Sequence, residues 1–152
     1  MQSKFLKKVR GFTLIEILVV IGIIAILATI AIIAINPARQ FAQARNTQRE
    51  SNVNTILNAV GQNIADNKGT FTCAGVSTAP GVTAAAIGTA TVNFNCLVPT
   101  YISSAIPTDP SGGTAADTKY TVAMDALGRF TVCAPNYSEA ALGVPAPLCV
   151  SR

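Results

Sequence analysis

A long apolar run near the N-terminus limits what this chain can fold into. Residues 12–35 are apolar except for Thr13, Glu16, Gly22 and Thr29. As an α-helix the run would be about 36 Å long, and the hydrocarbon core of a bilayer is about 30 Å thick. Its sixteen Ile, Leu, Val and Phe residues favour insertion by about 0.3 to 0.6 kcal/mol each, against about 3 kcal/mol for one carboxylate. The run can therefore cross a membrane, and Glu16 needs an explanation of its own.

The net charge of +4 is concentrated ahead of this run. The basic residues before it are Lys4, Lys7, Lys8 and Arg10. The rest of the chain holds seven basic and seven acidic residues, so it has no basic stripe for nucleic acid. Basic residues beside an apolar segment remain in the cytoplasm, which predicts that the chain beyond Ile35 lies across the membrane. An A-x-A at 42–44 leaves ordinary signal cleavage open, but it lies far beyond the run.

After Pro37 the apolar residues no longer form a continuous run but recur at intervals, as on one face of a helix. The residues that recur at spacings of three and four are Val53, Ile56, Leu57, Val60 and Ile64. This spacing predicts an amphipathic helix over 37–68 with Gly69 as its left-handed cap. Joined to the apolar run over 12–36, it predicts a rod from about 13 to 67, bent at Gly22 and Pro37. The alternative is a full break at Pro37 between the anchor and a soluble domain.

Residues 69–152 predict a small β-rich head outside the cytoplasm. Short alternations at 92–96, 120–124 and 130–132 are typical of strands. Residues 119–124 and 129–134 can pair across the turn Asp125–Gly128, and 75–91 and 107–117 read as surface loops. So small a head needs the striped helix as its second layer. The expected fold is α+β, with a long N-terminal helix on a small antiparallel sheet.

Four cysteines lie in this head: Cys73, Cys96, Cys133 and Cys149. Their even number and the predicted oxidising side of the membrane favour disulfides over core thiols. A metal site is least favoured, because the chain has no histidine and no CxxC. Three connectivities are possible. We favour Cys73 with Cys96 and Cys133 with Cys149, each bond stabilising by about 3 kcal/mol in the chain-entropy model.

The residues Gly11-Phe12-Thr13-Leu14-Ile15-Glu16, after a short basic leader and at the start of the apolar run, closely resemble the processing motif of type IV prepilins and type II secretion pseudopilins. The resemblance is specific over about residues 4–35 and architectural beyond. It implies a type IV pilin-like fold. Many type IV pilins have a proline at the place of Ile33, whereas this chain has Pro37 one turn later. In those pilins the proline is tied to local unwinding of the helix in the filament. We therefore do not infer such unwinding for this chain from the resemblance.

The resemblance also implies residue roles. Residues 1–11 would be the prepilin leader, cut after Gly11 by a membrane-bound prepilin peptidase. Phe12 would then be the mature N-terminus and carry the N-methyl group. Glu16 would pair with the N-terminus of a neighbouring copy and so set the stagger of packed helices, because a buried charge is tolerable only when paired. Snorkelling of Glu16 to the interface is the alternative.

Some related pilins and major pseudopilins bind calcium in a loop near the C-terminal hairpin. The resemblance of 101–110 to that region makes Asp109, Asp117 and Asp125 weak calcium candidates. No EF-hand pattern is present, and Asp is an ordinary turn residue. We otherwise expect no metal and no cofactor.

The expected function is that of a structural subunit of a type IV pilus-like filament. It would be a single-pass membrane precursor with a cytoplasmic N-terminus, and then part of a surface or periplasm-spanning homo-oligomer. The resemblance implies an assembly ATPase and a platform protein as partners. A pseudopilin of a type II secretion system and a monomeric signal-anchored binding domain are the alternatives. An enzyme is not expected, because the chain has no histidine and its cysteines are expected to be paired. A Ser-Lys pair would need a cleft that so small a head can hardly form.

Overall fold

A computed structural model describes residues 11–73, 80–143 and 147–152, and the basic leader before Gly11 and part of the predicted loop at 75–91 lie outside these ranges. The described helices are α1 (Leu14–Ile35) and α2 (Pro37–Asp66). The described strands are β1 (Ala85–Ala86), β2 (Thr121–Met124), β3 (Phe130–Ala134) and β4 (Leu148–Ser151). The chain divides into one unit that ends at Pro37 and a second that begins at Ala38.

The helix is interrupted at Asn36, one residue before the bend predicted at Pro37. Helix α1 ends at Ile35, and Asn36, which caps it, is left-handed with a φ of 48° and a ψ of 79°. Pro37 explains the position of the break: its ring disfavours the helical conformation of the residue before it, and it has no N–H to donate to the preceding turn. Asparagine tolerates the left-handed region better than most residues. Gly22, the other predicted bend, lies within helix α1.

Helix α2 has one buried stripe along most of its length. The apolar residues of the predicted stripe are the centre of the core: Val53, Ile56, Leu57 and Val60 are buried, and Ile64 packs against them. The helix ends at Asp66, two residues before the predicted end. Lys68 (φ 57°) and Gly69 (φ 89°) are left-handed, and the Gly69 amide donates to the Ile64 carbonyl at 2.8 Å. This is the Schellman arrangement that satisfies the last carbonyls of a helix.

The sheet is a four-stranded antiparallel meander in the order β1-β2-β3-β4. The predicted hairpin is present: β2 pairs with β3 with Val122 opposite Val132, and the turn runs from Asp125 to Gly128. Gly128 has a φ of 80°, which glycine adopts at no steric cost. The strand predicted at 92–96 is wrong, because Val92 makes only an isolated bridge to Ile87 and a 3₁₀ turn follows at Asn95–Leu97.

One core joins α2 to the inner face of this sheet. The sheet contributes alternate residues, with Val122 on β2 and Phe130, Val132 and Ala134 on β3 all buried. This alternation follows from the two-residue period of a strand. A long apolar N-terminal helix and a small antiparallel sheet make the chain α+β, the type IV pilin-like arrangement that the resemblance implies.

Candidate functional site: the apolar segment and the head

The apolar segment, residues 11–35, has no buried residue of its own. Every residue of α1 is exposed, and each of the sixteen large apolar side chains from Phe12 to Ile35 is at least 49 % exposed. Among the described residues α1 is also the one helix long and apolar enough to cross a membrane. A helix that is apolar on all sides is stable only in lipid or among other helices. This segment therefore needs surroundings that the single chain does not supply.

Gly11 and Phe12 precede α1 and lie outside any regular element. Both residues are exposed, with Phe12 at 79 %, and no atom lies within 4 Å of where a Cβ of Gly11 would be. Of the predicted leader, only Gly11 falls within the described residues.

Thr13 and Glu16 form a capping box at the start of α1. The Thr13 hydroxyl oxygen accepts from the Glu16 amide at 3.3 Å, and the Thr13 amide donates to Oε2 of Glu16 at 3.2 Å. The same carboxylate oxygen accepts from the Thr13 hydroxyl at 3.2 Å. Such a box satisfies backbone donors that the first turn of a helix leaves unpaired. Glu16 thus starts its own helix, a role that sequence reasoning missed although T-x-x-E before an apolar run is the usual signal for it.

The head contains a buried charge cluster that sequence reasoning also missed. Arg49 of α2 is 1 % exposed at its side chain and lies between Asp109 and Glu139. Its Nε and Nη2 donate to Asp109 at 2.7 and 3.2 Å, and its Nη1 donates to Glu139 at 2.7 Å. Nη1 also donates to Asn46 and Nη2 to Ser111, both at 2.8 Å.

All five N–H donors of the Arg49 guanidinium are therefore used inside the head. The small polar pocket beside it, which Arg49, Ser111, Asn136 and Glu139 help to line, has no Arg49 donor left for an anionic ligand. The cluster is a structural tie between α2 and two head loops. The sequence did contain a signal for this cluster. Asn46 and Arg49 are polar residues at helix positions that continue the apolar stripe of α2 toward Ala42, so their side chains face the core.

The acids of this cluster are held in their charged forms. Hydrogen bonds from Arg45 and then Arg49 lower the pKa of Glu139 from 4.5 to about 2. Burial alone would raise the pKa of Asp109. The hydrogen bonds that it accepts from Arg49 and from the Ser111 amide outweigh burial, so the pKa of Asp109 lies below its ordinary value.

Two disulfides connect the parts of the head. Cys73 is bonded to Cys96, which ties the chain after α2 to the 3₁₀ turn, and their Cα atoms are 5.4 Å apart. Cys133 is bonded to Cys149 directly across β3 and β4, with Cα atoms 4.1 Å apart. These are the pairs favoured from the sequence.

The three weak calcium candidates are not brought together. Asp109 is bonded to Arg49, Asp117 to Lys119 at 2.6 Å, and Asp125 to Arg129 at 2.8 Å. Calcium needs six to eight oxygen ligands around one point. No group of three or more His, Cys, Asp or Glu residues able to hold a metal occurs in the described part of the chain.

One comparison with known proteins finds a match in the N-terminal part of the chain. Residues 6–32 match the family model of the prokaryotic N-terminal methylation motif. The chain carries the prepilin signature of type IV pilins and pseudopilins, and Gly11, Phe12 and Glu16 lie inside the matched range. No curated protein and no solved structure matches the chain significantly.

Proposed function

We propose that this chain is the structural subunit of a type IV pilus-like filament that serves adhesion, motility or DNA uptake. The observation that carries the proposal is the exposure of all sixteen large apolar side chains from Phe12 to Ile35 within the methylation motif and directly after it. A motif of this family points to a structural subunit and a membrane-anchored precursor, and not to an enzyme.

The apolar helix determines how such a filament assembles. Burying one large aliphatic side chain is worth about 1.5 to 3 kcal/mol, so sixteen of them in water would cost on the order of tens of kcal/mol. A single copy therefore cannot leave the membrane into water. Each copy has to pass from lipid directly into a bundle of like helices, which buries the same surface. An assembly ATPase and a platform protein would supply the work of extraction.

Removal of the leader makes this extraction possible. The uncut chain carries Lys4, Lys7, Lys8 and Arg10 ahead of α1, and these charges hold its N-terminus at the cytoplasmic face. Cleavage after Gly11 by a prepilin peptidase removes all four and leaves one ammonium, at Phe12. With Glu16 the mature segment then has one positive and one negative charge, which can neutralise each other when they are buried.

Glu16 sets the register between copies in this proposal. Its carboxylate already accepts hydrogen bonds from Thr13, one residue after the new ammonium. The capping box therefore holds the carboxylate at the N-terminal end of the helix. In one register, the Phe12 ammonium of a neighbouring helix meets this carboxylate, and both charges are buried as a pair. Any other axial shift between the two helices would bury the charges unpaired.

Two substitutions separate the charge of Glu16 from its capping role. Glutamine can still complete a capping box, so Glu16→Gln keeps the helix start and removes the charge. Thr13→Val keeps the charge and removes the hydroxyl of the box. In the native cells we expect leader cleavage to persist in both variants. Filaments should be lost in Glu16→Gln, as in Glu16→Leu, and kept in Thr13→Val. Normal filaments from Glu16→Gln would contradict the register role.

Microscopy and N-terminal sequencing separate the alternatives. Long fibres sheared from cells support a pilin, whereas short periplasmic assemblies and a secretion defect in the deletion strain indicate a type II secretion pseudopilin. A mature chain that begins at Phe12 supports the subunit. A chain that still begins at Met1, with no dependence of its display on Glu16, indicates a monomeric signal-anchored binding domain.

A further inference from the structure

An apolar groove runs between α2 and the hairpin of the head. It has a volume of about 550 Å³, and its floor is formed by Leu57, Val60, Ile64 and Phe130. Gly61 lies at its open side, where a Cβ would meet no atom within 4 Å. Asn58, Arg129 and Arg152 give the groove a polar rim with two guanidinium groups.

Phe41 is an exposed aromatic side chain on the same helix. Its side chain is 66 % exposed, and the other exposed large hydrophobic residues described after α1 are Val82 and Leu127. Leu127 directly precedes Gly128, which lines the groove. A side chain beside the groove reaches the same groove of a second copy in a reciprocal two-fold contact, and such a contact closes a dimer and does not propagate.

Helix geometry places Phe41 and the groove on opposite flanks of α2. The stripe of α2 that packs on the head includes Ala42, Arg49, Val53 and Val60. At 100° per residue, Phe41 lies about 90° to one side of the centre of this stripe, and Gly61 about 110° to the other side. Their separation of twenty positions corresponds to about 30 Å along the helix.

We propose that the side chain of Phe41 fills this groove in a second copy of the chain. Copies placed side by side with their heads facing the same way bring the Phe41 flank of one against the groove flank of the next. A shift of about 30 Å along α2 then aligns Phe41 with Gly61. The contact is heterologous, so it repeats along a filament. The two rim arginines suit an aromatic occupant, because a guanidinium is attracted to the face of a ring.

This inference rests on the proposed filament. A buried phenylalanine covers about 150 to 250 Å², whereas stable interfaces bury about 800 Å² per partner. The groove contact is therefore too small to hold two copies in solution. It orients heads whose α1 helices are already bundled, and it fixes which copies along the filament touch.

Gly61→Leu tests the groove with little risk to the fold. A side chain at position 61 enters open space within the chain, and leucine favours a helix more than glycine does. We expect normal leader cleavage and a melting temperature no lower than that of the wild-type chain, but a loss of filament yield of roughly tenfold or more, as at a central contact of an interface. Phe41→Ala should have the same effect. Wild-type yield from both variants would overturn the inference.

Crosslinking in wild-type-like filaments tests the pairing directly. A chain with Ala44→Cys and Ala65→Cys keeps both Phe41 and Gly61, and it should give a ladder of multimers with a short bismaleimide reagent, whereas each single variant should give none. Both positions are exposed and lie about one helical turn beyond Phe41 and Gly61, respectively. Gln43→Cys with Ala65→Cys is the matched control, because position 43 is exposed but points about 160° away from position 41. Filaments without the 44–65 ladder would overturn this inference alone, whereas an absence of filaments from the wild-type chain would overturn the proposed function.

Discussion

Arg49 and Asp109 form a bidentate ion pair that solvent does not reach. The Nε to Oδ2 distance is 2.7 Å, the Nη2 to Oδ1 distance is 3.2 Å, and the two side chains are 1 % and 0 % exposed. The residues are 60 positions apart in the chain. The pair therefore fixes the loop ahead of β2 onto α2 by charge as well as by apolar packing.

Removal of one partner of this pair should destabilise the head strongly. Arg49→Met leaves Asp109 buried without its cation, and breaking a buried pair in this way typically costs about 3 to 5 kcal/mol. Urea unfolding of the full chain in mild detergent measures the loss. Arg129→Met is the control: its pair with Asp125 is exposed and should contribute about 1 kcal/mol or less. Equal losses from the two variants would show that burial does not strengthen the Arg49 pair.

The stability of the head should fall in acid over a defined range. The pKa of Glu139 is about 2 in the folded chain and near 4.5 without its partners. A carboxylate with a lowered folded pKa stabilises fully above its unfolded pKa, and this contribution is lost as the pH falls toward the folded value. The melting temperature should therefore be level above pH 5 and fall between about pH 4.5 and 2. Glu139→Gln should be less stable at pH 7 and should flatten this fall; an unchanged profile would contradict the account.

Each disulfide should contribute a similar amount to stability. The bonded cysteines are separated by 23 and 16 residues, which corresponds to about 3 kcal/mol each in the chain-entropy model. Paired serine substitutions at 73 and 96, or at 133 and 149, should lower the free energy of unfolding by that amount. Non-reducing peptide mapping of the wild-type chain provides the control. A peptide joining Cys96 to Cys133 would contradict the pairing.

Calcium should not stabilise the head. Asp109, Asp117 and Asp125 each face a separate basic side chain, so none of them offers a free cluster of oxygens. A ligand that binds the folded state raises the melting temperature as its concentration exceeds its Kd. We expect the same melting temperature in millimolar calcium and in chelator. A rise of several degrees that Asp117→Asn abolishes would identify a calcium site.

Local patterns in the sequence predicted much of this fold. The hydropathy of 12–35 predicted α1, the spacing of Val53 to Ile64 predicted the buried face of α2, and alternation predicted the hairpin of β2 and β3. These features depend on residues close together in the chain. The position of the break at Asn36 depends on the clash between Pro37 and the residue before it, which the sequence left open as an alternative.

Long-range contacts account for what the sequence did not predict. Strand β1 is two alanines, which have no strand preference and pair only because β2 lies beside them. Strand β4 was missed because a segment of four residues gives little pattern. In its pairing with β3, Cys149 lies opposite Cys133. The Arg49 cluster joins residues 60 and 90 positions apart, so no local period reveals its partners.

The density of an assembled filament tests the central claim most directly. The account predicts that α1 helices form the filament core, with the Glu16 carboxylate of one copy within ion-pair distance of the Phe12 ammonium of another. Density that shows Glu16 bonded only within its own chain, or facing solvent with no ammonium of another copy nearby, would contradict it.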